Sequence, residues 1–160
     1  QLPGTSAQKK AFPASQEGPL KILVLPCANG YDYAQSNYDL DPEIKKLIAG
    51  EAAFEVLPFP YKTLMGVNYY GVFDKKYCAE IVEKVDADII VMNRFAAEWM
   101  SPEQNKWGYE IKLLHTASNT QSASIKAIQL YSYAKLREKL KQQQGQLIRD
   151  ILQCAESNRP

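Results

Sequence analysis

The chain has 160 residues, enough for one domain with an ordinary core, or for a domain of roughly 140 residues with a flexible leader, and too few for a natural pair of domains. Its 19 basic and 18 acidic residues are spread along the sequence and leave a formal charge of +1, so there is no strong global field to recruit nucleic acid or an anionic membrane surface. No apolar run approaches the roughly 18 residues of a membrane-crossing helix, and Cys27, Cys78 and Cys154 are too few and too far apart for a disulfide framework.

Residues 1–19 are rich in Gln, Ser, Ala, Pro and Gly, lack hydrophobic periodicity, and are expected to form a flexible tether ahead of a single α/β domain over residues 20–156. The first residue is Gln1 rather than methionine, which suggests a removed leader and an exported protein, periplasmic or associated with an outer membrane. A trimmed cytoplasmic protein with a disordered arm is the alternative.

Ile22, Leu23, Val24 and Leu25 form a short buried strand that Pro26 ends, and Asn29-Gly30 marks a turn. Asp41-Pro42-Glu43 supplies a capping residue, a proline at the first helical position and an acid in the first turn of a helix with Ile44, Leu47 and Ile48 as its apolar stripe. Residues 54–58 are a second strand. The stretch 59–73 has no clean period, is interrupted by Pro60, Gly66 and Gly71, and is expected to fold as an Ω-like loop over the sheet edge.

Asp74 can cap a second helix with Tyr77, Cys78, Ile81, Val82 and Val85 on one face. Ile89, Ile90, Val91 and Met92 then read as a central strand covered on both faces, with Asp86 and Asp88 as turn residues before it. Tyr109, Ile111 and Leu113 alternate, a polar tract over 118–122 turns the chain, and Ile125, Ala127 and Leu130 complete a hairpin. From Ser132, helical spacing joins Tyr133, Leu136, Leu140, Leu147, Ile148, Ile151 and Leu152, with Lys135, Arg137, Lys139 and Lys141 on a solvated face. Residues 142–146 are expected to be a low-complexity glutamine run where this last helix kinks or projects.

The order β-α-β-α-β-β-β-α predicts a three-layer α/β fold. Two right-handed crossovers place the first three strands parallel, and the hairpin completes a five-stranded mixed sheet at one edge.

The opening Lys21-Ile-Leu-Val-Leu-Pro26, the second strand Phe54-Glu-Val-Leu-Pro58 and the third, Asp86-Ala-Asp88-Ile-Ile-Val, resemble strand-end motifs of a group of bacterial envelope proteins. The group includes the N-terminal domain of the periplasmic protein TolB and lipoproteins like the curli secretion channel CsgG, and the resemblance spans roughly residues 21–155. It implies a TolB N-terminal-domain-like fold and an exported, non-enzymatic, lipoprotein-type module acting through protein contacts in envelope assembly, secretion or signalling. A membrane would be reached only through an N-terminal lipid tether, which needs a cysteine outside this chain. The motifs mark strand ends and transfer no functional residues.

Parallel strands would gather three aromatic loops at their carboxyl edge, where open α/β sheets place ligands. The candidate face comprises Tyr31, Tyr33 and Tyr38 in the first loop, Tyr61, Tyr69, Tyr70 and Phe73 in the second, and Trp99 and Trp107 in the third. Such rings can bind a protein partner or a second copy, or can pack on one another to order the loops. If the protein is instead a small enzyme or ligand binder, Cys27 is its reactive thiol, with Asn29, Asp32 and His115 as companions. No phosphate cradle, nucleophile elbow or metal-ligand spacing occurs, so neither cofactor, metal nor nucleic acid is expected.

Overall fold

The computed structural model describes residues 18–29, 39–67, 78–95 and 107–157. In chain order these form β1 (Leu20–Val24), β2 (Ala28–Asn29), α1 (Asp41–Ala49), β3 (Phe54–Val56), α2 (Cys78–Lys84), β4 (Ile89–Phe95), β5 (Trp107–His115), β6 (Thr120–Leu130), α3 (Tyr133–Gln142) and α4 (Gln144–Ser157). The sheet order is β3-β1-β4-β5-β6, with β2 pairing β4 beyond the end of β1. β1, β3 and β4 are parallel, and β5 and β6 are the antiparallel hairpin. This is the three-layer mixed α/β sheet expected from the apolar pattern.

Alternation along the central strands builds two cores. Leu20, Ile22 and Val24 of β1, with Ile89 and Val91 of β4, face α1, α3 and α4. On the other side, Leu23, Leu25, Ile90 and Met92 face Cys78 and Ile81 of α2 together with Leu64 and Val67. Strands covered on both faces must be apolar at successive positions, which is why these runs do not alternate with polar residues.

β1 does not simply end at Pro26. Pairing runs in register to Val24 opposite Val91 and resumes at Ala28 opposite Arg94, so β1 and β2 carry one residue more than β4 across the gap. That is a bulge at Pro26-Cys27 facing Asn93, and Pro26, without an N–H, cannot continue the ladder. The Asn93 side chain closes the seam: its Nδ2 donates to the Leu25 carbonyl at 2.8 Å, in a site where Asn93 is 1% exposed.

Local chemistry departs from expectation at three further places. Asp41 does not cap α1; the N-cap is Leu40, without a side-chain cap, and the Asp41 carboxylate accepts the Cys27 N–H at 3.3 Å. The hairpin turn has no glycine because Asn119 takes the left-handed conformation itself, at φ 53°. The last helical stretch is two helices that break at Gln143, and the glutamines there are specific tie points rather than a low-complexity run. Tyr109 Oη donates to Gln143 Oε1, Gln143 Nε2 to the Lys126 carbonyl at 3.4 Å, and Gln144 Nε2 to the Leu47 carbonyl at 2.8 Å. α3 starts with a side-chain cap, Ser132 Oγ accepting the Lys135 N–H at 3.0 Å.

Candidate functional site

Of the candidate aromatic residues, Tyr31, Tyr33, Tyr38, Tyr69, Tyr70, Phe73 and Trp99 lie outside the described residues, as does Asp32. The described chain reaches the carboxyl edge at Asn29 and Phe95 and leaves it at Trp107.

Trp107 belongs to a strand rather than a loop. β5 begins there, two residues before the Tyr109 alternation, and the ring is 5% exposed. It meets Phe95 edge-on with centroids 5.9 Å apart and Tyr133 at 5.3 Å, and Tyr133 Oη donates to the Asp39 carbonyl at 3.1 Å. These three rings roof the core beneath the carboxyl edge. Trp107 is therefore part of the packing there and not of an exposed platform.

Cys27 sits in the bulge, buried. Burial pushes its thiol up to about 12, and the charges of Asp41 and Asp39 add to the shift against the lowering effect of backbone N–H groups. A thiol so placed is a poor nucleophile at neutral pH. Its proposed companion His115 is paired with Ile89 at the amino end of β4, whereas the bulge faces Asn93 four residues further along, about 13 Å off along the strand at about 3.3 Å per residue and on the other side of β4. His115 Nδ1 lies instead 2.8 Å from Ser118 Oγ, and burial lowers the imidazole pKa. The structure does not bring Cys27 and His115 together. All three cysteines are buried and none is in a disulfide.

Asp86 and Asp88 fasten the start of the sheet. Asp88 Oδ2 accepts the Lys21 N–H at 2.8 Å, and Lys21 Nζ lies 3.0 Å from Asp86 Oδ2. Both keep the turn role their position suggests.

Tyr61 occupies a different surface. After Val56 the Leu57 N–H still donates to the Ile22 carbonyl at 2.8 Å, and the chain then turns over the α2 face of the sheet. Leu64 and Val67 are buried beneath this segment, which is closed by Leu64 N–H to the Pro60 carbonyl at 3.0 Å and by Gly66 at φ 82°. On its outer side Tyr61 is 77% exposed and Met65 78%. The Ω-like account thus holds for Leu64 and Val67, while Tyr61 and Met65 stand out from the loop. Beside them is an open groove of about 350 Å³, lined by Leu23, Leu57, Pro58 and Pro60 on one side and Lys84, Val85 and Asp86 on the other. Since Asp86 is bonded to Lys21 near the start of β1, the described part of the second loop runs back across β1 instead of joining Cys27 at the carboxyl edge.

Three exposed apolar side chains were not among the sequence candidates: Met65 in the second loop, and Ile128, 47% exposed, and Tyr131, 72% exposed, at the end of β6. For the last two the sequence signal available was the break in alternation between Ala127 and Ser132. Among the described residues no group of His, Cys, Asp and Glu could hold a metal ion, and no helix is long and apolar enough to cross a membrane.

No protein-family model matches the chain, and no curated protein matches it at a significant level. Solved structures do. The lipoprotein GNA1162 from Neisseria meningitidis aligns over 88% of this chain and 100% of its own, at 16% identity and a TM-score of 0.54. The C-terminal domain of LpoB from Salmonella enterica aligns over 71% of this chain and 84% of its own, at 13% identity and 0.48. The PelC dodecamer from Paraburkholderia phytofirmans gives 84% and 94% coverage, 13% identity and 0.44. At these identities, and with GNA1162 alone of the three above one half, the finding is one of fold: this chain is similar in architecture to a Neisseria lipoprotein across that protein's full length.

Proposed function

We propose that the chain is a non-enzymatic, exported module of a bacterial envelope, of the lipoprotein type and akin to TolB N-terminal-domain-like and CsgG-like proteins, which works through protein contacts in envelope assembly or secretion. In this reading residues 1–19 are its tether, residues 20–156 its domain, and the periplasm or the outer membrane its place. The observation that carries it is the pair Tyr61 and Met65, held nearly fully exposed on a turn whose other side is anchored by Leu64 and Val67. A large aromatic and a thioether presented together beside an apolar groove are the ingredients of a protein-contact anchor. Tyr31, Tyr33, Tyr38, Tyr69, Tyr70, Phe73 and Trp99 are proposed as further contact residues, not necessarily on the same surface as Tyr61.

The likeness to GNA1162, itself described as a lipoprotein, supports the envelope setting. The buried, high-pKa Cys27 and its separation from His115 weigh against the alternative of a small enzyme at the carboxyl edge. The test is in-cell cross-linking and sedimentation of the tethered protein with Tyr61→Ala and Met65→Ala together. Both side chains are at the surface, so the fold should survive. Self-association or a specific cross-linked partner should be lost; if every cross-link and the sedimentation profile persist in a folded variant, this contact surface is wrong.

A further inference from the structure

We infer that the surface made by the end of β6 and helix α3 is a docking face for anionic lipid headgroups. Among the described residues four large apolar side chains are exposed. Tyr61 and Met65 belong to the surface above, and Ile128 and Tyr131 lie elsewhere. β6 uses 11 residues to span the 9 of β5, and one irregularity falls between the pairs Trp107 to Leu130 and Tyr109 to Ala127. Within that bulge Gln129 has a φ of 58°, and Ile128 is left outside while Ala127 and Leu130 pack on the core. Tyr131 then projects just ahead of the Ser132 cap.

Helix α3 follows directly after Tyr131 and brings charge. Leu136 and Leu140 are buried, so Lys135, Arg137 and Lys141 are turned outward, with Lys139 half-buried beside them. The carboxylates facing this set are few: Glu138, 3.4 Å from Lys135, and Asp39 and Glu43, which act on the Tyr133 hydroxyl from the α1 side. The first turn of α3 carries no acid, so the positive end of the helix dipole adds to the cations. A chain with a formal charge of +1 thus concentrates four cations in one short helix, a local asymmetry hidden by the neutral total.

The chemistry favours a lipid surface over an acidic protein. Three of the four cations are lysines, mobile point charges on long apolar stems, suited to a diffuse layer of headgroups more than to fixed bidentate pairs. An exposed tyrosine and an aliphatic residue a few positions ahead of such cations in the chain match the composition of interfacial segments. The placement is also consistent. α3 lies on the face opposite residues 57–67, and β6 and β3 are opposite edges of the sheet. Lipid contact at α3 leaves Tyr61 and Met65 pointing away from the membrane.

This inference rests on the proposed envelope setting only for the nearness of a membrane; the contact itself is carried by α3 and can be measured without a lipid anchor. The full, unlipidated chain is sedimented with vesicles of phosphatidylglycerol and phosphatidylcholine in equal parts, and with phosphatidylcholine alone. Binding to the anionic vesicles only is expected, with release near 1 M salt, where the screening length is about 3 Å. Lys135→Glu, Arg137→Glu and Lys141→Glu together should weaken binding by about tenfold or more. Tyr131→Ser should weaken it at unchanged salt dependence, and Tyr61→Ala with Met65→Ala should leave it alone. If the triple variant does not fold, Lys141→Glu and the salt series decide. Equal binding to neutral vesicles, no binding, or indifference to charge reversal overturns the inference, as does capture of an acidic protein through α3 without vesicle binding. Loss of the Tyr61 cross-links with vesicle binding confined to neutral lipid would leave the protein-contact reading standing and remove this one; the converse pattern would do the reverse.

Discussion

Replacing Asn93 with aspartate tests the seam at which β1 gives way to β2. Asn93 is almost fully buried and spends its amide on the Leu25 carbonyl at 2.8 Å. Asn93→Asp keeps the shape and removes that donor once the acid ionises. In its neutral form the acid can still donate an O–H to Leu25, so near pH 4 the variant should lie within about 1 kcal/mol of the parent. The ionised form would face a carbonyl oxygen in a buried site, and its folded pKa should rise above neutrality. An acid whose folded pKa is raised is fully tolerated below its unfolded value and loses stability as pH climbs toward the folded one. From about pH 3.9 to pH 7 the loss accumulates at about 1.36 kcal/mol per unit, about 4 kcal/mol in all. That is a large share of the roughly 5–15 kcal/mol of an ordinary domain. Urea unfolding of parent and variant at several pH values measures it, and the m-value should not change. If the difference between them is flat from pH 4 to pH 7, the site is wet and the bulge is not closed as described.

Two further outcomes concern the same end of the sheet. Alkylation of Cys27 at neutral pH should be far slower in the folded protein than after unfolding, because burial has pushed the thiol up to about 12; a native rate matching that of the unfolded chain would put Cys27 at the surface. Asp41 has its carboxyl raised, first by burial, even though it accepts the Cys27 N–H. Raised in the fold, this acid contributes most stability below its unfolded value and loses it as pH rises through the folded value. Asp41→Asn, which retains an acceptor oxygen, should therefore be the more stable protein at neutral pH and should show a flatter stability profile through the mildly acid range. Thermal unfolding between pH 3 and pH 7 reads the sign, and a less stable Asn variant at neutral pH would contradict it.

The parts of the fold legible in the sequence are those fixed by local periodicity. Ile44, Leu47 and Ile48 can only be the buried stripe of a helix, and the unbroken run from Ile89 to Met92 can only be a strand covered on both faces. What the sequence hid depends on partners far away in the chain. Gln144 looks like one polar residue among several, and its role is set by the Leu47 carbonyl 97 residues earlier. Asp41 has every local mark of a cap, yet its carboxylate serves the Cys27 amide, which competes for the same oxygen. Trp107 stood next to an alternating strand, but whether alternation begins at a tryptophan or two residues later is decided by Phe95 and Tyr133, neither of them a sequence neighbour.

The course of residues 57–67, away from the carboxyl edge, follows from strand length. β3 has 3 residues where β4 has 7, so the parallel half of the sheet is ragged and the chain leaves β3 about midway along β1. From there the chain can cross the α2-side face of β1, where Leu23 and Leu25 would otherwise be wet. Residues 57–67 are apolar because they fill this gap: Leu64 and Val67 go down onto Leu23 and Leu25, and the same turn that seats them sends Tyr61 and Met65 outward. A longer β3 would have carried the second loop to the carboxyl edge beside Cys27 and left no apolar groove next to Lys84 and Val85. The contact surface proposed for Tyr61 is in this sense a by-product of sealing the smaller core, and its rigidity comes from that core. Anything that loosened Leu64 would be felt at Tyr61, even though no partner touches Leu64 itself.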